Sequence, residues 1–285
     1  MIAWLRLLGQ LTKFRLSLIA TCSCLGVFVL ASGGVSWLLL PLAAGMLLTA
    51  CGACALNQYQ ERELDGRMER TRGRPIPSGR IGPREALLWS LALLGAGFLT
   101  LALMGTIAGA GLAALAVVWY NGVYTPLKRL TAFAAVPGGL VGVLPPAIGW
   151  VAAGRPLWDW RLAALAFFFW VWQVPHFWSL VLIYGRQYER AGLPSLSQHL
   201  SQEQIARLVF AWTIVTAVSC LLLPLFGVVG SYPVLALLAL GAVWLAWKAA
   251  GILGPRGSFR SAFVNVNLFA ALVILLMALD PYLTL

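Results

Sequence analysis

Acidic residues are scarce: the 285-residue chain has nine Asp and Glu against twenty Lys and Arg, and only 10% of it is charged. That is too little charge to cover a soluble domain of this size. With 61% hydrophobic residues and a mean hydropathy of +0.86, the chain reads as an integral membrane protein. Short alternating runs of the kind that build transmembrane barrels are missing, which excludes a β-barrel. Histidine is rarer still, with two in the whole chain. Cysteines occur at Cys22, Cys24, Cys51, Cys54 and Cys220, all inside apolar runs. Neither a second C-x-x-C nor a nearby histidine joins Cys51-Gly-Ala-Cys54, so this pair reads as small-residue helix packing in preference to a metal or redox centre. No cleavage site follows the first apolar run, which is therefore expected to be retained. No linker or low-complexity tract divides the chain, so residues 1–285 read as a single membrane domain.

What the chain does have is long apolar runs, at 16–33, 37–57, 86–104, 106–123, 134–152, 162–184, 205–226, 232–251 and 262–280. The expectation is an all-α protein of nine transmembrane helices. A net charge of +11 would suit nucleic acid, but its distribution argues against that partner. With the N-terminus in the cytoplasm, every Lys and Arg except Arg155 and Arg161 falls on the cytoplasmic side, Arg256 included. This is the positive-inside pattern of a multi-pass protein of the bacterial cytoplasmic membrane, with Leu285 outside. The outer connections are short, at 33–36, about 105, 153–161 and 227–231. The inner ones, 58–85, 124–133, 185–204 and 252–261, are longer and carry the polar chemistry. The long loops after spans two and six hint at a weak internal duplication.

Four of the nine acids lie between Glu61 and Glu69, in the stretch Asn57-Gln-Tyr-Gln-Glu61-Arg-Glu63-Leu-Asp65-Gly-Arg67-Met-Glu69-Arg70-Thr-Arg72-Gly-Arg74-Pro75. Asn57, Glu61 and Asp65 follow at i, i+4 and i+8, which puts three oxygen donors on one helix face. Arginines come directly after. Oxygen ligands beside guanidiniums suit a divalent cation carrying a phosphorylated ligand. At the end of a membrane span, that points to a diphosphate with an apolar tail.

Three further polar groups mark span ends. Tyr124-Thr125-x-x-Lys128-Arg129 reads as a topology anchor or, beside the Glu61/Asp65 row, as a second clamp on diphosphate. Gln173 and His176 lie one turn apart in Trp172-Gln173-x-Pro175-His176-Phe177. They either hydrogen-bond between helices or face a cavity, where the histidine could ligate iron, meet a carboxylate or move a proton. The loop Gln187-Tyr188-Glu189-Arg190-Ala191-Gly192-Leu193-Pro194 is either solvated or part of the site. Gly138-Gly139-x-x-Gly142 and Pro145-Pro146 signal close helix packing or bends that open a cavity.

Together these segments resemble the UbiA superfamily of intramembrane aromatic prenyltransferases. Met68-Glu69-Arg70-Thr71-Arg72-x-Arg74-Pro75, Leu144-Pro145-Pro146-x-x-Gly149-Trp150, Trp172-Gln173-x-Pro175-His176-Phe177 and Tyr188-x-x-Ala191-Gly192-x-Pro194 are most similar to its heme branch. The resemblance implies a UbiA-type bundle around a central cavity, with Mg²⁺-dependent ionisation of farnesyl diphosphate and alkylation of a vinyl group of heme b, giving a product used by terminal oxidases. It implies that Asn57, Glu61 and Asp65 hold Mg²⁺ and diphosphate. Arg70, Arg74, Lys128 and Arg129 would neutralise the leaving group. His176 and Gln173, with Tyr124, Tyr184 and Tyr188, would bind substrate. It also implies contact with lipid and association with heme A synthase or a terminal oxidase.

The chain departs from the family pattern at Glu61, where Asp is usual, and at Gln187, where an acid is usual. Tyr184 and Tyr188 stand where other members carry a second Asp-x-x-x-Asp pair. One Mg²⁺ is therefore expected in preference to two, with Glu189 a candidate to compensate. The competing readings are a prenyltransferase acting on a quinone or chlorophyll precursor, and a non-enzymatic heme-binding membrane protein or transporter. A transporter would place its polar groups near mid-membrane, not at one face.

Overall fold

A computed structural model describes residues 2–104, 106–254 and 257–283, with the side chains of residues 2 and 3 left aside. The connection near 105, Arg256 and the C-terminal Leu285 lie outside the described residues. Among those described, nine helices are long and apolar enough to cross a membrane: Phe14–Ser32, Leu39–Arg67, Pro83–Leu103, Ile107–Leu127, Ala132–Ala152, Trp160–Ile183, Gln202–Leu225, Tyr232–Ala250 and Phe259–Leu283. They are numbered spans 1 to 9 below.

Local chemistry fixes where the spans begin. Pro83 opens span 3 where a missing N–H costs nothing. The Asp159 side chain accepts from the Arg161 N–H at 2.9 Å to start span 6. Ser201 and Gln204 form a reciprocal capping box at span 7. Each span packs on the next, and span 9 returns to span 1, which closes a ring. Spans 1 and 5, and spans 6 and 9, also meet across the middle. The tightest pair is spans 2 and 3. A Cβ at Gly97 would press within 2.7 Å of the Thr49 backbone nitrogen, so only glycine permits this approach. The Ser90 hydroxyl donates across the same seam to the Gly52 carbonyl at 3.0 Å.

The apolar core, including Val27, Phe168, Phe169, Leu238, Phe269 and Val273, joins spans 1, 6, 8 and 9. One buried acid locks the end of this assembly. Asp280 of span 9 accepts from the Gly230 and Ser231 backbone N–H groups at 3.1 and 3.0 Å and from the Ser231 hydroxyl at 2.7 Å, just before span 8 begins. A carboxylate there meets both the orphan amides and the positive end of the helix dipole.

Two features differ from the expected span boundaries. Span 2 does not stop near 57 but runs as one helix to Arg67, carrying the Asn57/Glu61/Asp65 row. A separate amphipathic helix, Ile2–Leu11, precedes span 1. It buries Leu7 and Leu11 against Ala55, Ile76 and Ile81 and leaves Trp4 and Leu5 exposed, as a helix lying along the membrane surface does.

Candidate active site

The row is a buried face of span 2: Asn57, Glu61 and Asp65 are each less than 5% exposed. Unpaired, two buried carboxylates would be costly, and each has a cation in contact. Lys128 pairs with Glu61. One Arg74 nitrogen reaches both Asp65 oxygens, at 2.7 and 2.6 Å. Lys13 donates to Asn57 Oδ1 at 2.6 Å.

In the sequence Lys13 is one of the cytoplasmic-side charges and nothing more, yet it completes this row. The chain breaks between the N-terminal helix and span 1, and Lys13 sits in the break with φ 46°, ψ 48°. It is the one residue other than glycine with positive φ among those described, a conformation that costs energy and persists only when its surroundings hold it. Gln58 supplies the hold, donating to the carbonyls of Gln10 and Leu11 at 2.7 and 2.8 Å. The ammonium is partly buried, and burial first, then the positive charge of Arg74, push its pKa down to about 8.

Span 4 ends in a wider π-helical stretch, Val118–Tyr124. Such a stretch often marks a functional site. Here it faces side chains toward span 2. Asn121 donates to the Ala53 carbonyl and to Gln60 Oε1, both at 3.1 Å. Asn57 Nδ2 donates to Thr125 Oγ1 at 2.9 Å, and that hydroxyl donates to the Tyr120 carbonyl. Thr125 therefore fixes which way the Asn57 amide faces, leaving its oxygen toward the cations. Neither partnership was visible in the sequence.

Above the row lies a cavity of about 440 Å³. One end carries Asn57, Glu61, Asp65 and the cations. The remainder is walled by apolar and aromatic groups, including Met46, Ala116, Val141, Trp172 and Ile274. Tyr124 stacks on Tyr120 with centroids 6.1 Å apart and on Phe177 at 5.3 Å. The glycine motif serves this wall: a Cβ at Gly138 would overlap the Tyr124 ring, and one at Gly142 the Gln173 amide. Packing and cavity shaping are thus one device here.

His176 lines the same cavity with Gln173. Its Nδ1 lies 2.8 Å from Asn267 Oδ1 in span 9. Asn267 spends its own NH₂ on the Phe263 carbonyl, so its oxygen faces the imidazole and Nδ1 carries the proton. Nε2 is left as a bare acceptor. Asn267 was missed in the sequence because a single amide in the last span carries no spacing signal.

Other expected residues sit at the mouth. Arg70 lies over the Tyr184 ring, 4.8 Å from its centroid, and donates to Tyr188 Oη at 3.2 Å. Tyr188 lines the cavity, while Tyr184 does so only through Arg70. Two expectations change. The guanidinium of Arg129 is exposed and donates to the Gln60 carbonyl at 2.9 Å, holding span 2 and not facing the cavity. Glu189 does not compensate for Gln187. It accepts from Ser197 Oγ at 2.5 Å and does not line the cavity.

A cationic, oxygen-lined pocket at one end of an apolar chamber, inside a multi-pass membrane protein, suits an enzyme that works on an anionic head carrying an apolar chain. The chain belongs to the UbiA prenyltransferase family, whose family model matches residues 18–279. Curated relatives include the protoheme IX farnesyltransferase of Oleidesulfovibrio alaskensis, 36% identical over 98% of both chains. That of Geobacter sulfurreducens is 44% identical over 65% of this chain and 68% of the relative. Among solved structures, a digeranylgeranylglyceryl phosphate synthase matches with a TM-score of 0.75 at 15% identity, over 97% of this chain and 98% of the other. A UbiA homolog from Archaeoglobus fulgidus bound to GPP and Mg²⁺ matches with a TM-score of 0.63 at 14% identity, over 95% and 97%. At these identities the structural matches establish the fold.

Proposed function

We propose that the protein transfers the farnesyl group of farnesyl diphosphate to a vinyl group of heme b, giving heme O. The observation that carries this reading is the row of Asn57, Glu61 and Asp65, each in contact with a cation, at the end of an apolar cavity that also holds His176. The donors fit Mg²⁺: an amide oxygen and two carboxylates, hard ligands that already face positive groups. Asn57, Glu61 and Asp65 would hold the ion. When bound, it supplies positive charge that stabilises diphosphate as a leaving group.

The chain's own residues account for the rest. Lys13, Arg70, Arg74 and Lys128 meet the charge that grows on diphosphate as the allylic C–O bond breaks and the oxygen keeps the electron pair. The aromatic walls, Tyr124 and Phe177 among them, exclude water and offer ring faces to the farnesyl cation. The vinyl π electrons form the new C–C bond. Water adds to the cation left beside the porphyrin and loses a proton, which leaves a hydroxyl. Proximity does much of this work, because a vinyl group is a modest nucleophile. Nε2 of His176 is assigned to the heme side, with Gln173 beside it. Arg129 is assigned to holding span 2, and Tyr184 and Tyr188 to holding Arg70.

The site faces the cytoplasm of a bacterial cell membrane in this reading, on the strength of the basic residues around it. Association with heme A synthase or a terminal oxidase would follow from the use of the product. The test is incubation of the purified protein with farnesyl diphosphate, Mg²⁺ and heme b, in competition with a quinone precursor. The expected product is a heme heavier by one farnesyl and one hydroxyl group. Prenylation of the quinone precursor alone would overturn the assignment.

A further inference from the structure

We infer that the diphosphate end takes a single divalent cation, and that Arg70, seated on a shelf made by Tyr184, Gln187 and Tyr188, supplies as a fixed side chain the positive charge a second ion would bring. This rests on the prenyl-diphosphate half of the proposed function.

Three observations carry it. First, among the described residues the only carboxylates lining the cavity are Glu61 and Asp65, both on span 2. Around Arg70 the wall offers Tyr188 and, behind it, Tyr184 and Gln187; the nearby acid, Glu189, is engaged by Ser197. Mg²⁺ is held in proteins through one or two carboxylates beside substrate phosphates and water, and this wall presents no carboxylate to the cavity.

Second, the wall is built to hold a guanidinium. Arg70 stacks 4.8 Å from the Tyr184 centroid, donates to Tyr188 Oη at 3.2 Å, and its backbone N–H donates to Gln187 Oε1 at 3.1 Å. Ring face, phenol oxygen and amide oxygen all prefer a cation or a donor, and together they fix both ends of one residue. Arg70 makes no ion pair with Glu61 or Asp65, which are matched to Lys128 and Arg74. Its charge is therefore free for an incoming anion.

Third, the charges fit. Lys13, Arg70, Arg74 and Lys128 face Glu61 and Asp65 around the cavity. With a prenyl diphosphate trianion and one divalent ion, the site comes within one charge of balance. A second ion would add positive charge that no carboxylate meets, in a chamber with apolar walls.

The test counts metal directly. Purified protein is titrated with Mn²⁺ in the presence of farnesyl thiolodiphosphate, which does not ionise readily, and bound Mn²⁺ is read by electron paramagnetic resonance. The expected result is one Mn²⁺ per chain, with no spin coupling between ions. Arg70→Met is expected to weaken analogue binding by about tenfold or more, the effect of losing one charged contact, while still binding one Mn²⁺. Tyr184→Leu, which leaves the guanidinium in place but unseated, is expected to weaken it less, and Tyr184→Phe not at all. Two Mn²⁺ per chain in the parent, or unchanged analogue affinity in folded Arg70→Met, would overturn the inference. A parent that farnesylates heme yet binds two ions refutes this inference alone. One that binds one ion and the analogue but leaves heme unmodified refutes the heme assignment alone.

Discussion

Lys13 Nζ lies 2.6 Å from Asn57 Oδ1, bringing a residue from the break before span 1 onto the donor row of span 2. A buried glutamine, Gln58, holds the strained backbone there. This pairing makes the break before span 1 part of the site and not merely its flank.

Lys13→Met should therefore lower turnover by about 100-fold, as loss of one preorganised charge at a leaving group does, with the fold intact. Lys13→Arg keeps the charge and should retain more activity. The check is steady-state turnover beside the unfolding temperature of each variant. Turnover near that of the parent in Lys13→Met would return this residue to the role of a topology anchor.

The spans were legible in the sequence because length and hydropathy define them, and the donor row because Asn57, Glu61 and Asp65 repeat at helical spacing. Lys13 was not, since a lysine before a span looks the same whether it faces lipid headgroups or a ligand. Thr125 and Asn267 were not, because their partners, Asn57 and His176, are 68 and 91 residues away and no local pattern joins them. The N-terminal helix Ile2–Leu11 escaped notice because it is too short to span, and only the packing of Leu7 and Leu11 reveals its seat. Arg129 shows the converse failure: adjacent to Lys128 in sequence, it points to a different partner.

Gly142→Ala puts a methyl group where the Gln173 amide lies. Overpacking of this kind costs about 1–3 kcal/mol. The unfolding temperature should fall and heme affinity should weaken as Gln173 shifts. Adding Gln173→Ala removes the clash and should recover most of the lost stability but not the heme affinity. An equal loss of stability in the double variant would show that the glycine is needed for another reason.

His176→Ala should weaken heme binding, read by visible absorbance, and leave affinity for the farnesyl diphosphate analogue and Mn²⁺ nearly unchanged. Asn267→Leu, which frees the imidazole to change tautomer, should move heme binding in the same direction by a smaller amount. Unchanged heme spectra in both variants would remove His176 from the heme side. Weakened analogue binding with normal heme binding would move it to the diphosphate end.

The most direct test of the central claim is a comparison of Asp65→Ala with the parent. Purified protein is given farnesyl diphosphate, Mg²⁺ and heme b, and released diphosphate and farnesylated heme are counted together. The parent is expected to release one diphosphate for each heme modified. Asp65→Ala is expected to release essentially none, at least about 100-fold less, while still binding heme. Turnover near the parent rate in a normally folded Asp65→Ala protein would contradict the claim that the Asn57, Glu61 and Asp65 row is where the diphosphate leaves.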